Sequence, residues 1–135
     1  MEREALDRDA LHESWIIQAE ASALGFDWPD VGGVLDKVAE ELMELRNAVR
    51  CGDIAEARHE LGDLLLAAVN AARFLEIDPA QALREANARF SQRFDVVKKL
   101  AAEARLPMKT CTLDQLDALW REAKVRERHT LENAP

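Results

Sequence analysis

The chain has 135 residues, 48% of them hydrophobic and 33% charged, which suits one compact domain with a single core and is too short for two ordinary ones. Twenty-six acidic against eighteen basic residues leave a net charge of -8, so the field of the protein repels nucleic-acid backbone and anionic membrane. No stretch approaches the roughly 18 apolar residues that span a bilayer, Met1-Glu2-Arg3-Glu4 lacks the layout of a signal peptide, and Cys51 and Cys111 form no Cys-x-x-Cys pair. The expectation is a cytoplasmic chain with free thiols that binds neither nucleic acid nor membrane.

Alanine, leucine, glutamate and arginine dominate, and tyrosine is absent, so local propensity predicts an all-α fold resembling a four-helix bundle with a short extra C-terminal helix. It is expected to form a single domain over residues 1–135, with its core at about 8–126 and a frayed tail. The first helix is predicted to start near Asp7 or Asp9 and run to about Leu24, with Leu11, Trp15 and Ile16 on one side and Gly25 as its stop. A turn follows over residues 25–30. The second helix covers about 34–50, with Leu35, Val38, Leu42, Leu45 and Val49 as its inner stripe.

Asp53 caps the third helix, which runs to about Leu75 and is apolar almost all round from Leu61 to Ala72, as expected of a helix surrounded by others. Gly62 within it suggests close approach of a neighbouring helix. The fourth helix opens at Asp78-Pro79 and reaches about Arg105, with Leu83, Ala86, Phe90, Phe94 and Val97 as its stripe. Thr112, with Gln115 three residues on, starts the fifth, which is predicted to end near Arg126.

The acids carry the chemical signal. Glu41 and Glu44 lie three apart along the edge of the second helix's stripe, whereas Glu40 falls almost opposite it, toward solvent. In the third helix Glu60, Asp63, Ala67, Asn70 and Phe74 share one line inside an apolar run, which predicts that Asp63 and Asn70 are substantially buried. Buried acids require a positive partner. Arg58 or Arg73 would supply an ion pair; alternatively, acidic pairs from two adjacent helices offer the hard oxygen ligands that suit Mg²⁺ or Mn²⁺. A solvated acidic face is the bland alternative.

Glu56-Ala57-Arg58-His59 has the Glu-x-x-His spacing of di-iron bundles, but no second copy exists, and His59 reads as a polar surface residue. Arg89 and Arg93, four apart with Asn87 nearby, suit phosphate oxygens or else pair with Glu85 or with acids of another helix. Trp28 and Trp120 are candidates for stacking on a base or for core and cap positions, and Lys124 reaches a phosphate or water. No glycine-rich phosphate loop or nucleophile elbow is present.

These residues are similar to a known pattern. Gly25-Phe26-Asp27-Trp28-Pro29-Asp30, the stretch from Asp36 to Glu44 with Glu40-Glu41-Leu42-Met43-Glu44, and Glu60-Leu61-Gly62-Asp63 resemble the MazG family of nucleoside triphosphate pyrophosphohydrolases. Residues 86–94 and 112–124 extend the resemblance, which is to the C-terminal domain of tandem-domain members. It implies Mg²⁺-dependent hydrolysis of a nucleoside triphosphate to monophosphate and pyrophosphate, in a helical bundle that forms a homodimer or higher oligomer. It also implies Glu41, Glu44, Glu60 and Asp63 as metal ligands and Glu40 or Glu41 as the catalytic proton acceptor. Substrate contacts fall to Asn70, Asn87, Arg89, Arg93, Trp120, Lys124 and Trp28. The implied role is nucleotide-pool housecleaning; a narrow dUTP or dCTP pyrophosphatase and a non-enzymatic helical dimerisation module are the alternatives. Where relatives often carry a further acid before Glu-x-x-Asp, this chain has His59.

Overall fold

Short polar side chains set where the helices begin. The structure, a computed structural model, describes residues 9–133. Among them the elements are α1 (Ala10–Ala23), α2 (Val31–Arg50), α3 (Ile54–Phe74), α4 (Pro79–Glu103), a 3-10 turn (Met108–Thr110) and α5 (Leu113–Glu132), so the fold is all-α. Asp9, Asp30 and Asp53 each accept the backbone N–H three residues on, and Asp78 accepts those of Ala80 and Gln81 at the start of α4. Thr112 and Gln115 form a reciprocal capping box at α5. Each such cap is worth about 1 kcal/mol. Asp7, the alternative start of the first helix, lies outside the described residues.

Two boundaries differ from expectation. With Asp30 as cap, α2 begins at Val31 rather than near Val34, because its two glycines are compatible with a first helical turn. The last helix does not end near Arg126 but continues to Glu132, carried by Arg126 against Glu122 and by the Thr130 hydroxyl donating to the Arg126 carbonyl. Gly25 and Gly52 close α1 and α2 in the left-handed region, at φ 93° and 70°. Glu76 and Arg105 do the same after α3 and α4 without the freedom of glycine, at φ 56° and 54°.

The chain divides into two compact units, one ending at Ala82 and the next beginning at Leu83. In the first, α2 and α3 pack as an antiparallel hairpin and α1 lies on α3. His12 ties the start of α1 to the start of α4, its Nε2 2.8 Å from Asp78 Oδ1. The buried line of α2 is not the leucine stripe: it is Val34, Glu41 and Ala48, facing Glu60, Ala67, Val69 and Asn70 of α3. Leu35, Leu42 and Val49 are about half exposed or more, and so are Leu61 and Leu65 of α3, which is therefore not surrounded among the described residues. Nor does a neighbouring helix crowd Gly62; a methyl group built there meets nothing within 4 Å.

In the second unit the core is Val97, Leu100, Ala101, Leu119 and Ala123, with Val96, Met108 and Trp120 packed against it. Only the C-terminal part of the predicted α4 stripe is buried, since Leu83, Phe90 and Phe94 are exposed. Among the described residues no helix is long and apolar enough to cross a membrane.

Candidate functional site

The rotation of α2 that leaves Leu35 and Leu42 about half exposed, with Val38 and Leu45 half-buried, turns Glu41 inward. There it meets the carboxylate end of α3: one oxygen from each of Glu41, Glu44 and Glu60 lies within 4.8 Å of the other two. Glu60 also belongs to a second grouping, in which His59, Glu60 and Asp63 each offer a ligand atom within the same span. Glu41 is 5% exposed and Glu60 8%. The Oε2 atoms of both are buried and have no hydrogen-bond partner among the described residues.

Neighbouring charges treat the two buried acids differently. Lys37, one helical turn before Glu41, places Nζ 3.1 Å from Glu41 Oε1 and holds that carboxyl below its ordinary range. Among the described residues no lysine or arginine pairs with Glu60. Burial, followed by the carboxylates of Glu44 and Glu56, pushes its pKa up to about 8. Two buried oxygens without donors, in a set made of hard ligands, fit a divalent cation of the Mg²⁺ or Mn²⁺ kind.

Beside this cluster the first unit has a cleft of about 730 Å³. Trp28, Lys37, Glu41, Asp63, Asn70 and Arg73 are among the residues that line it. The Trp28 ring packs against Gly33 so closely that a Cβ there would stand 2.8 Å from Cε3. Arg73 donates from Nη2 to Asp27 Oδ1 at 2.7 Å and from Nε to Asn70 Oδ1 at 3.0 Å. That guanidinium and the Ser22 hydroxyl hold the Asp27 carboxyl down at about 2. The arrangement fixes Asn70, which is buried as expected.

Glu41 and Glu44 are thus gathered on Glu60, and Asp63 joins Glu60 in the other grouping, at the rim: its side chain is 39% exposed, not buried as expected, because it borders the cleft. Glu40 is exposed, with Oε1 3.4 Å from Lys37 Nζ, and does not line the cleft. The counter-charge is Lys37 rather than Arg58 or Arg73. Its i, i+4 relation to Glu41 is visible in the sequence, whereas Asp27 and Arg73 meet across 46 positions with no local signal.

The remaining candidates lie in the second unit, where Asn87, Arg89 and Lys124 are exposed. Arg93 donates from Nε and Nη2 to Glu127 Oε2 at 3.0 and 2.9 Å, and its guanidinium sits 5.1 Å above the Trp120 ring. Pairing with an acid of another helix is therefore the state the structure records. Trp120 packs on Phe90 at 5.4 Å between ring centres, as part of that unit's apolar cluster.

The fold is thus all-α, with a hairpin that gathers carboxylates from two helices at the wall of a cleft, an arrangement whose donor set fits a divalent cation. Residues 32–98 match the MazG nucleotide pyrophosphohydrolase domain. Over 108 residues the chain is 43% identical to the nucleoside triphosphate pyrophosphohydrolase/pyrophosphatase MazG of Thermotoga maritima, covering 80% of this chain and 41% of that protein. It is 38% identical over 120 residues to the nucleoside triphosphate pyrophosphohydrolase of Escherichia coli, covering 87% of this chain and 46% of that protein. The chain belongs to the MazG family. It spans less than half the length of these two relatives.

Proposed function

We propose that this domain hydrolyses nucleoside triphosphates to nucleoside monophosphate and pyrophosphate, using Mg²⁺ held by Glu41, Glu44, Glu60 and Asp63, in a nucleotide-pool housecleaning role. The observation that carries the reading is the pair of buried, donorless oxygens on Glu41 and Glu60, set among further carboxylates beside a cleft of about 730 Å³. A bound Mg²⁺ or Mn²⁺ supplies Lewis acidity at phosphoryl oxygens and lowers the pKa of water. The protein's own part follows from its charges. Lys37 keeps Glu41 ionised, and Glu41, which lines the cleft where Glu40 does not, is the better placed proton acceptor.

Lys37, which lines the cleft beside Glu41, offers its ammonium to a phosphate oxygen without leaving that carboxylate, Trp28 offers a ring face to a base, and Asn70, oriented by Arg73, offers its amide to sugar or base. Arg73 is a positioning residue, since Asp27 and Asn70 occupy it. Asn87, Arg89, Arg93, Trp120 and Lys124 remain candidate phosphate and nucleotide contacts. For Arg93 that role requires leaving Glu127. A second copy of the chain is the proposed partner, because apolar residues of α2 and α3 stand exposed.

The test is incubation of purified protein with Mg²⁺ and a panel of ribo- and deoxynucleoside triphosphates, with product separation. Monophosphate and pyrophosphate are expected, and Asp63→Asn or Glu41→Gln should lower kcat at least about 10²-fold, more than loss of an outer contact to a metal site typically costs. Diphosphate with orthophosphate as products, or full activity in Asp63→Asn, would overturn the reading.

A further inference from the structure

His59 is the nitrogen-bearing side chain beside the Glu60 and Asp63 carboxylates, and the proposed reaction gives it no role. It stands four positions before Asp63, so the two share a face of α3, and its Nε2 is 3.2 Å from Asp63 Oδ2. Glu60 completes a set whose three ligand atoms lie within 4.8 Å of one another. The run His59-Glu60-Leu61-Gly62-Asp63 has the i, i+4 ligand spacing of His-Glu-x-x-His metal helices, with a carboxylate in the second ligand position.

A second observation points to a cation here. Glu60 is 8% exposed, and its Oε2 has no hydrogen-bond partner among the described residues. The His59 ring, by contrast, is 67% exposed, so it is free to exchange Asp63 for a cation without stranding a buried group. Glu60 belongs to both groupings, this one and the grouping with Glu41 and Glu44.

We propose that His59, Glu60 and Asp63 form a mixed nitrogen–oxygen cation position beside the all-carboxylate one, and that His59 directs it to Mn²⁺ or Co²⁺ in preference to Mg²⁺. Mg²⁺ takes oxygen ligands and keeps its water, whereas imidazole suits later divalent ions, with affinity rising from Mn²⁺ to Co²⁺. The inference rests on the carboxylate cluster being a cation site and is independent of which nucleotide is hydrolysed.

The test is calorimetric titration of the nucleotide-free protein with Mg²⁺, Mn²⁺ and Co²⁺, together with electron spin-echo spectra of bound Mn²⁺, which report directly bonded nitrogen. Wild type, His59→Gln and His59→Glu are compared. Because the ring is exposed, both variants should keep the helical circular dichroism of wild type. In His59→Gln, Mn²⁺ and Co²⁺ affinity should fall about tenfold and the nitrogen signal should vanish, while Mg²⁺ affinity stays within about twofold. His59→Glu, with an all-oxygen set, should favour Mg²⁺ relative to Co²⁺ more than wild type does.

Wild-type Mn²⁺ without a nitrogen signal, and with affinity unchanged in His59→Gln, would overturn the role of His59 and leave the carboxylate site standing. No binding of any of the three ions would overturn both. Absence of nucleotide turnover, alongside the expected loss in His59→Gln, would support this inference and remove the hydrolase reading alone.

Discussion

Glu41 and Glu60 meet across the α2–α3 hairpin with opposite electrostatic settings, and the difference is measurable as a pH dependence. Lys37 answers the charge of Glu41, whereas burial and the carboxylates of Glu44 and Glu56 raise the pKa of Glu60 from 4.5 to about 8. A carboxyl whose pKa is raised on folding stabilises the native state fully below its unfolded value, and that contribution is lost as pH rises through the folded one. The metal-free protein should therefore lose thermal stability steadily between about pH 5 and pH 9. Glu60→Gln, which cannot ionise, should flatten that profile, and Mg²⁺ should raise the wild-type melting temperature more at pH 9 than at pH 6. Identical melting profiles for wild type and Glu60→Gln would show that Glu60 does not carry this charge. Asp27 acts in a separate window: held at about 2 by Arg73 and Ser22, it contributes stability above its unfolded pKa of 3.8 that disappears as pH falls toward 2.

The first turn of α2 sets the position of Trp28. Gly33 sits under the indole, and a methyl group there would meet Cε3 at 2.8 Å, closer than packed atoms tolerate. Gly33→Ala should displace the ring from the cleft wall and raise KM for a nucleoside triphosphate about tenfold, with kcat within about twofold, the mark of lost binding rather than lost chemistry. Unchanged KM would mean that Trp28 does not contact the nucleotide. The same helix shows what could be read from the sequence. Its existence and the Glu41/Glu44 spacing were legible, because periodicity is local; its first turn was not, since the Asp30 cap is followed by two glycines that weaken the helical pattern. Which line faces inward was not: Leu35-Leu42-Val49 is the more apolar stripe, yet Val34-Glu41-Ala48, one position away, is buried. Hydrophobic ranking assigns the inner face to leucine, and only the acids of α3 opposite reveal why glutamate occupies it. The Asp27–Arg73 pair was hidden for a different reason, since nothing in a turn and a helix 46 positions apart announces a contact. Lys37 was legible and overlooked, one turn from Glu41.

For the molecule as a whole, the outward leucines set an energetic problem that the proposed second copy would resolve. Leu35, Leu42 and Val49 on α2 are 52%, 48% and 64% exposed, and Leu61 and Leu65 on α3 are 48% and 52% exposed. Covering such surface is favourable by about 25 cal/mol per Å² of apolar area. Opposing this, each chain carries a net charge of -8, so two copies repel at long range. Salt screens the repulsion, with a Debye length of about 10 Å at 0.1 M, and leaves apolar burial intact. The expected outcome is a homodimer at twice the 15.2 kDa chain mass, with a dissociation constant that falls as ionic strength rises. Leu42→Lys places a charge in the centre of the exposed α2 line and should shift sedimentation toward the mass of one chain, with the helical circular dichroism unchanged. Sedimentation of wild type as a single chain at micromolar concentration and high salt would show that this apolar surface is not a dimer interface. An association weakened by salt would show that specific charge pairs, rather than the leucines, hold the copies together.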